Sequence, residues 1–172
     1  PRTAARAARA AVRMGVRMFN VHVAGGKGML KAVVDAAREE AGGGDFPKIL
    51  GVTVLTSLGA EELRAEIGIQ RSPLEQVLFW AGIAKECGLS GVVASPQEAP
   101  GIRSLCGKDF LIVTPGIRPA GSVPDDQVRI STPVAALKAG ADYIVVGRPI
   151  VKAPDPVRAV WEIIKEMEDA EQ

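Results

Sequence analysis

A parallel α/β fold is predicted by two features of the sequence. Five short segments are apolar almost throughout, at residues 18–23, 48–55, 91–94, 110–113 and 143–146, and each is followed by a helical stretch. Strands without polar alternation belong to sheets covered on both faces, and such sheets are parallel. The last two strands also run straight into glycine and arginine, Gly116 with Arg118 and Gly147 with Arg148. Ligands of parallel α/β proteins lie beyond the carboxyl ends of the strands. There glycine lets backbone N–H groups approach a phosphate and arginine adds a planar fork of donors. Residues 110–150 are therefore expected to hold a phosphorylated small molecule.

Each element has its own local reason. Residues 3–14 are alanine-rich and helical, closed by Gly15; the strand at 18–23 ends at Gly25 and Gly26. A helix over 29–41 carries Val33, Val34 and Ala37 on one face and stops at Gly42, Gly43 and Gly44. The strand at 48–55 reaches Thr56 and Ser57 at its tip. Helices follow at 60–67 and 73–87, the second ended by Gly88. After the strand at 91–94 come a helix at 96–105 and the strand at 110–113. A helix at 133–139 stopped by Gly140, the strand at 143–146 and an amphipathic helix at 155–169 complete the chain.

Composition narrows the function. With 172 residues, 47% hydrophobic and 24% charged, the chain is long enough for one domain, residues 1–172, with a real core. A net charge of +1 argues against a nucleic-acid partner. No apolar run reaches the roughly 18 to 20 residues that span a bilayer, so a soluble protein without a membrane partner is expected. Cys87 and Cys106 have neither metal-type nor redox spacing and read as reduced, packed thiols of a cytoplasmic protein. Residues 1–34 carry seven basic side chains and no acid, in the manner of a transit peptide. The segment lacks serine and leads unbroken into a strand, so it is read as a helix with a solvated face of Arg2, Arg6, Arg9, Arg13 and Arg17. Ala5, Ala8, Val12 and Val16 then pack inward.

The position of the Gly/Arg pairs selects the architecture. A doubly wound sheet would show its glycine-rich phosphate turn after an early strand. Here the pairs follow the last two strands, where (βα)8 TIM barrels place their phosphate site. A full barrel needs eight strands and about 250 residues. The expectation is therefore the last five strands, 4–8, of a barrel whose first three are absent from this sequence. Such a piece exposes two sheet edges and is not expected to fold stably alone.

At this point an ordered set of motifs carries a family resemblance: Val52-Thr-Val-Leu-Thr-Ser57, Val113-Thr-Pro-Gly-Ile-Arg-Pro119, Asp126-Gln127 and Val146-Gly-Arg-Pro149. With the opening Pro-x-Thr and Phe19-Asn-Val-His22, they resemble the orotidine 5′-phosphate decarboxylases of bacterial type along nearly the whole chain. The resemblance implies a barrel of the ribulose-phosphate-binding type and conversion of orotidine monophosphate (OMP) to uridine monophosphate (UMP) and carbon dioxide, the last step of UMP biosynthesis. It also implies a homodimer and no metal or cofactor. The family's chemistry rests on two Lys and two Asp, including an Asp-x-Lys-x-x-Asp motif that these 172 residues do not contain. No catalytic residue is therefore assigned here; the motif is expected before Pro1. By resemblance, its ammonium stabilises and then protonates the carbanion left by decarboxylation, as preorganised electrostatics allow.

The residues present are expected to bind substrate. Gly147 and Arg148 resemble the phosphate clamp, against a reading of Arg148 as a surface charge. Gln127 resembles the residue that reaches phosphate and pyrimidine from a closing loop, against a solvated loop amide. Arg118 matches a substrate-contact position, or instead holds an acid such as Asp125. Thr56 is placed to read the pyrimidine edge, or to cap the next helix. Thr3 matches a residue reaching the ribose across a dimer interface, and is also a cap for the first helix. His22, the sole histidine, is given a structural hydrogen bond, and residues 119–126 a lid role. Two other readings stay open: a magnesium-dependent sister lyase on a sugar phosphate, such as a hexulose-phosphate synthase or keto-gulonate-phosphate decarboxylase, and a non-catalytic phosphate- or nucleotide-binding fragment.

Overall fold

The computed structural model describes residues 1–119 and 131–169. Its centre is a five-stranded sheet of β1 (Met18–His22), β2 (Lys48–Val52), β3 (Gly91–Val93), β4 (Leu111–Thr114) and β5 (Tyr143–Ile144). All four pairings are parallel, and the spatial order is β1-β2-β3-β4-β5. A doubly wound sheet reverses its strand order at a switch point. The order here never reverses, so the sheet is singly wound, as in a barrel-type fold.

Eight helices occur among the described residues: α1 (Arg2–Arg13), α2 (Gly26–Ala41), α3 (Ala60–Ala65), α4 (Pro73–Glu86), α5 (Ala99–Cys106), α6 (Pro133–Lys138), α7 (Arg148–Val151) and α8 (Pro156–Asp169). A 3-10 turn, Val23–Gly25, joins β1 to α2. Leu30, Val33 and Ala37 of α2 and Val77, Ala81 and Ala84 of α4 are fully buried with Ile49, Val92 and Ile112 of the strands. A smaller cluster of Ile117, Ala136 and Ala141, with Ile144 and Val146 against it, lies beside the last two strands. The core is thus built from helix faces laid on the sheet, as the periodicity predicts.

The other side of the sheet is concave. Met18 and Lys48, at the starts of β1 and β2, line one cavity of about 480 Å³ together with Tyr143, at the start of β5. Strands three and four positions apart share a space only if the sheet curls.

Several boundaries differ from expectation, each for a local reason. The β2 ladder stops at Val52, and just past it the Thr53 N–H and hydroxyl both donate to the Val93 carbonyl. The fourth helix of the chain keeps its expected start, since Ser72 and Glu75 form a reciprocal cap at Pro73. Residues 96–98 lie outside α5 because Ser95 draws the chain into a turn, its hydroxyl accepting from Gln97 N–H and its carbonyl from Glu98 N–H. The short helix α7 follows Gly147 directly, with Pro149 in its first turn, where a missing N–H costs nothing. The helix stops are as expected: Gly15, Gly42, Gly88 and Gly140 all take positive φ.

The arginine-rich first helix is more engaged than a solvated face. Arg9 pairs with Glu39 at 2.7 Å and Arg13 with Glu40 at 3.1 Å. Ala8 is buried beneath them, and Ala4 and Val12 pack against the core. Both thiols are buried and free, as read from the sequence. Burial pushes the Cys87 and Cys106 thiols up, so both stay protonated at neutral pH.

Candidate functional site

A cavity of about 300 Å³ opens at the carboxyl ends of β2, β3 and β4, its lining including Val52, Val54, Thr56, Ser57, Val93 and Pro115. The larger cavity noted above lies at the amino ends of the strands. Parallel sheets, however, bind ligands beyond the carboxyl ends, where loops are free to carry chemistry without disturbing the packed strands. The smaller cavity is the candidate site.

Its wall is a sequence of short local devices. Past Val52, Thr53 is tied to Val93, and Thr56 and Ser57 then form the corner of a turn that Leu58 N–H closes on Leu55 C=O at 3.0 Å. The turn feeds α3, where Gly59 N–H donates to Glu62 Oε2 at 3.1 Å and Leu63 is buried. Thr56 is 7% exposed, on the cavity wall. It neither ends a hydrogen-bonded strand nor caps the next helix, a place taken by Gly59.

On the neighbouring strands, Val113 pairs with Tyr143 and Thr114 with Ile144. Val145 N–H then donates to Thr114 C=O at 2.8 Å, and the Thr114 hydroxyl to Tyr143 C=O at 3.2 Å. The segments from Pro115 and from Val145 therefore leave the sheet side by side at the cavity end. The two Gly/Arg pairs therefore follow neighbouring strands at the same end of the sheet.

Gly116 has φ +78°, a left-handed turn that strongly favours glycine. Arg118 is 9% exposed; its Nη1 donates to Ile117 C=O at 2.9 Å, and its buried Nη2 has no hydrogen-bond partner among the described residues. A buried guanidinium with an unused donor is poised for an anionic or carbonyl ligand. Its expected alternative partner, Asp125, lies outside the described residues. The Arg118 backbone is fixed by its N–H on Ser131 C=O at 2.8 Å.

Gly147 precedes α7 and is exposed, and a Cβ there would meet nothing within 4 Å. Its carbonyl accepts from Ile150 and Val151 N–H groups. Arg148 is half-buried as the first residue of α7. Gln127 and residues 120–126 of the expected lid lie outside the described residues.

Thr3 is exposed inside α1, and this helix has Pro1 at its N-cap with no side-chain cap, so Thr3 does not cap it. The Arg9–Glu39 and Arg13–Glu40 pairs show that α1 and α2 run parallel. Thr3 accordingly sits at the start of the α1–α2 pair, on the side where β1 ends, but does not line the cavity. His22 is exposed at the end of β1, and its side chain makes no hydrogen bond among the described residues, contrary to the structural role expected of it. Sequence reasoning missed Val93 and Pro115 as parts of this wall, and Thr53 as its support from behind. Thr53 was visible as the first threonine of Val52-Thr-Val-Leu-Thr-Ser57, but only the second was singled out.

Among the described residues, no group of three His, Cys, Asp or Glu side chains clusters as a metal site, and no helix is long and apolar enough to cross a membrane.

A singly wound parallel sheet with buried polar donors at its carboxyl end defines a small-molecule α/β protein. Residues 1–163 match the family described as "Orotidine 5'-phosphate decarboxylase / HUMPS family", and the chain belongs to that family. It is 58% identical over 170 residues to the orotidine 5′-phosphate decarboxylase of Moorella thermoacetica, covering 98% of this chain and 68% of that protein. It is 51% identical to the enzyme of that name from Syntrophomonas wolfei, covering 98% of this chain and 72% of that one. The crystal structure of orotidine 5′-phosphate decarboxylase from Lactobacillus acidophilus superposes with a TM-score of 0.82 at 40% identity, over 97% of this chain and 70% of that one. An uncharacterised conserved protein from Geobacillus kaustophilus gives a TM-score of 0.81 at 36% identity, over 97% and 71%.

Proposed function

We infer that this chain belongs to a carboxy-lyase that converts OMP to UMP and carbon dioxide in pyrimidine biosynthesis. The observation that carries the inference is 58% identity to a protein of that name across 98% of the chain, together with the family match. The geometry adds a cavity at the carboxyl ends of a parallel sheet and a buried guanidinium with an unused donor.

In this reading the five strands are strands 4–8 of a (βα)8 barrel. Thr56 faces the pyrimidine, Arg118 supplies a donor to the nucleotide, and Gly147, Arg148 and Gln127 hold its phosphate. Thr3 serves a ribose from the edge of the sheet in a homodimer working in the cytoplasm. The side chains present do the binding. The Asp-x-Lys-x-x-Asp pattern is absent from these residues, so bond breaking is assigned to groups outside them. Binding energy gathered at the phosphate then lowers a barrier at the distant pyrimidine.

The test is to follow loss of OMP and release of carbon dioxide, with EDTA present, for the 172-residue chain and for a chain extended upstream. Metal-independent turnover by the extended chain, with binding but no turnover by the 172 residues, is expected. Turnover of a sugar phosphate that EDTA abolishes would overturn the reading, and turnover of OMP by the shorter chain would overturn the placement of the catalytic groups.

A further inference from the structure

Thr53 lies one residue past β2, is 3% exposed, and does not line the cavity. Its hydroxyl donates to Val93 C=O at 2.7 Å, and its own N–H donates to the same oxygen at 3.1 Å. Val93 is itself a cavity residue and the last residue of β3. A buried hydroxyl needs a partner, and this one finds it where the regular ladder ends. The β2–β3 pairing closes with Val52 opposite Val93, so the Thr53 hydroxyl adds a bond beyond the last paired residue.

The consequence falls on Thr56. Between Thr53 and the turn closed by Leu58 N–H on Leu55 C=O there is a single residue, Val54, which is buried. The direction in which the chain leaves Thr53 thus sets where the Thr56 corner lies on the cavity wall. On the far side, the Gly59–Glu62 contact fixes where the corner ends. A ligand group read by Thr56 is recognised only as sharply as this support allows.

We propose that Thr53 is a positioning residue for recognition of the nucleotide base: by holding the exit of β2 against Val93, it orients Thr56 without touching the ligand. The proposal rests on the reading of the cavity as a nucleotide site. Two partial ligands separate its parts, since UMP carries a base and ribose 5-phosphate does not.

Thr53→Val exchanges the hydroxyl for a methyl at nearly constant shape, and Thr53→Ser keeps the hydroxyl. Calorimetric titration of the chain extended upstream should give a Kd for UMP about tenfold weaker in Thr53→Val, a change of under about twofold for ribose 5-phosphate, and UMP affinity restored in Thr53→Ser. Equal losses for both ligands would mark a general loosening and overturn the role, as would unchanged UMP affinity in the folded Thr53→Val variant. Should Thr53→Val not fold, Thr53→Ala and Thr53→Ser decide instead: the proposal requires UMP affinity to be lost in the first and kept in the second, and equal affinities overturn it. A parent chain that binds ribose 5-phosphate and not UMP removes base recognition, and with it the role of Thr53. One that binds neither ligand overturns the cavity reading itself.

Discussion

Arg103 of α5 donates Nη2 to Asp142 Oδ2 at 2.8 Å, and the same carboxylate oxygen accepts Ile112 N–H at 2.7 Å. The guanidinium also reaches the carbonyls of Gly107, Lys108, Phe110 and Gly140. One side chain therefore fastens the end of α5, the entry to β4 and the entry to β5, at the amino end of the sheet. Removing it leaves several carbonyls and a carboxylate without their donor, at a cost of about 2–3 kcal/mol. Arg103→Leu should lose that much stability in urea unfolding. UMP affinity of the folded variant should change by less than about threefold, because the anchor lies at the end of the sheet away from the cavity. A large affinity loss with unchanged stability would contradict this division of labour.

Arg118 shows the opposite pattern. Its buried Nη2 has no partner among the described residues, a desolvation cost that a ligand would offset. Arg118→Met should leave the melting temperature of the unliganded protein unchanged or higher while weakening UMP binding at least about tenfold, the scale of a hydrogen bond to a charged group. Thermal shift assays with and without UMP check both halves. A variant that melts lower without ligand and binds UMP normally would make Arg118 a structural residue.

The fold was legible because its signals are local and repeated. Apolar strands at 48–55 and 91–94, helix stops at Gly42, Gly88 and Gly140, and the Ser72–Glu75 cap all rest on physics confined to a few neighbouring residues. The paired Gly/Arg segments were legible too, since parallel neighbours must release their loops at the same end. What the chain did not disclose depends on contacts across the sequence. Thr53 acts through a carbonyl 40 residues away, and Arg9 and Arg13 through acids about 30 residues on. The cap given to Thr3 and the hydrogen bond given to His22 failed locally: the first helix starts directly after Pro1, and His22 is exposed at the end of β1.

Two glycines of the sheet exclude any side chain, for different reasons. At Gly51 an added Cβ would lie 2.6 Å from Val23 Cγ2 and 3.3 Å from Ala84 Cβ, in the layer between sheet and helices. At Gly91 it would collide with the backbone carbonyl of Leu111, its partner across β3 and β4. Side chains can shift by a rotamer, whereas a paired strand yields only by breaking the ladder. Gly51→Ala should cost about 1–3 kcal/mol, the usual scale of overpacking, and Gly91→Ala more. Urea unfolding of the two variants ranks them; equal costs would show that the β3–β4 ladder adjusts as readily as a side chain.

The cap of α4 sets a pH dependence. Glu75 Oε2 accepts the Ser72 hydroxyl at 2.6 Å and the Ser72 N–H at 2.9 Å, and these bonds, the hydroxyl first, hold its carboxyl below the usual glutamate range. A carboxyl whose folded pKa is depressed binds protons more readily in the unfolded chain. Its contribution is therefore fully present above the ordinary glutamate value and is lost as pH falls through the lower, folded value. Ser72→Ala removes the larger of the two bonds and the cap to Glu75 N–H. It should lower the neutral-pH melting temperature by about 2–4 °C. The gap to the parent should narrow on acidification, because the parent then loses what the variant already lacks. NMR titration of the Glu75 carboxyl carbon gives the direct measure: its midpoint should rise toward the ordinary range in Ser72→Ala, and an unmoved midpoint would assign the depression to the Ser72 N–H and Arg71 instead.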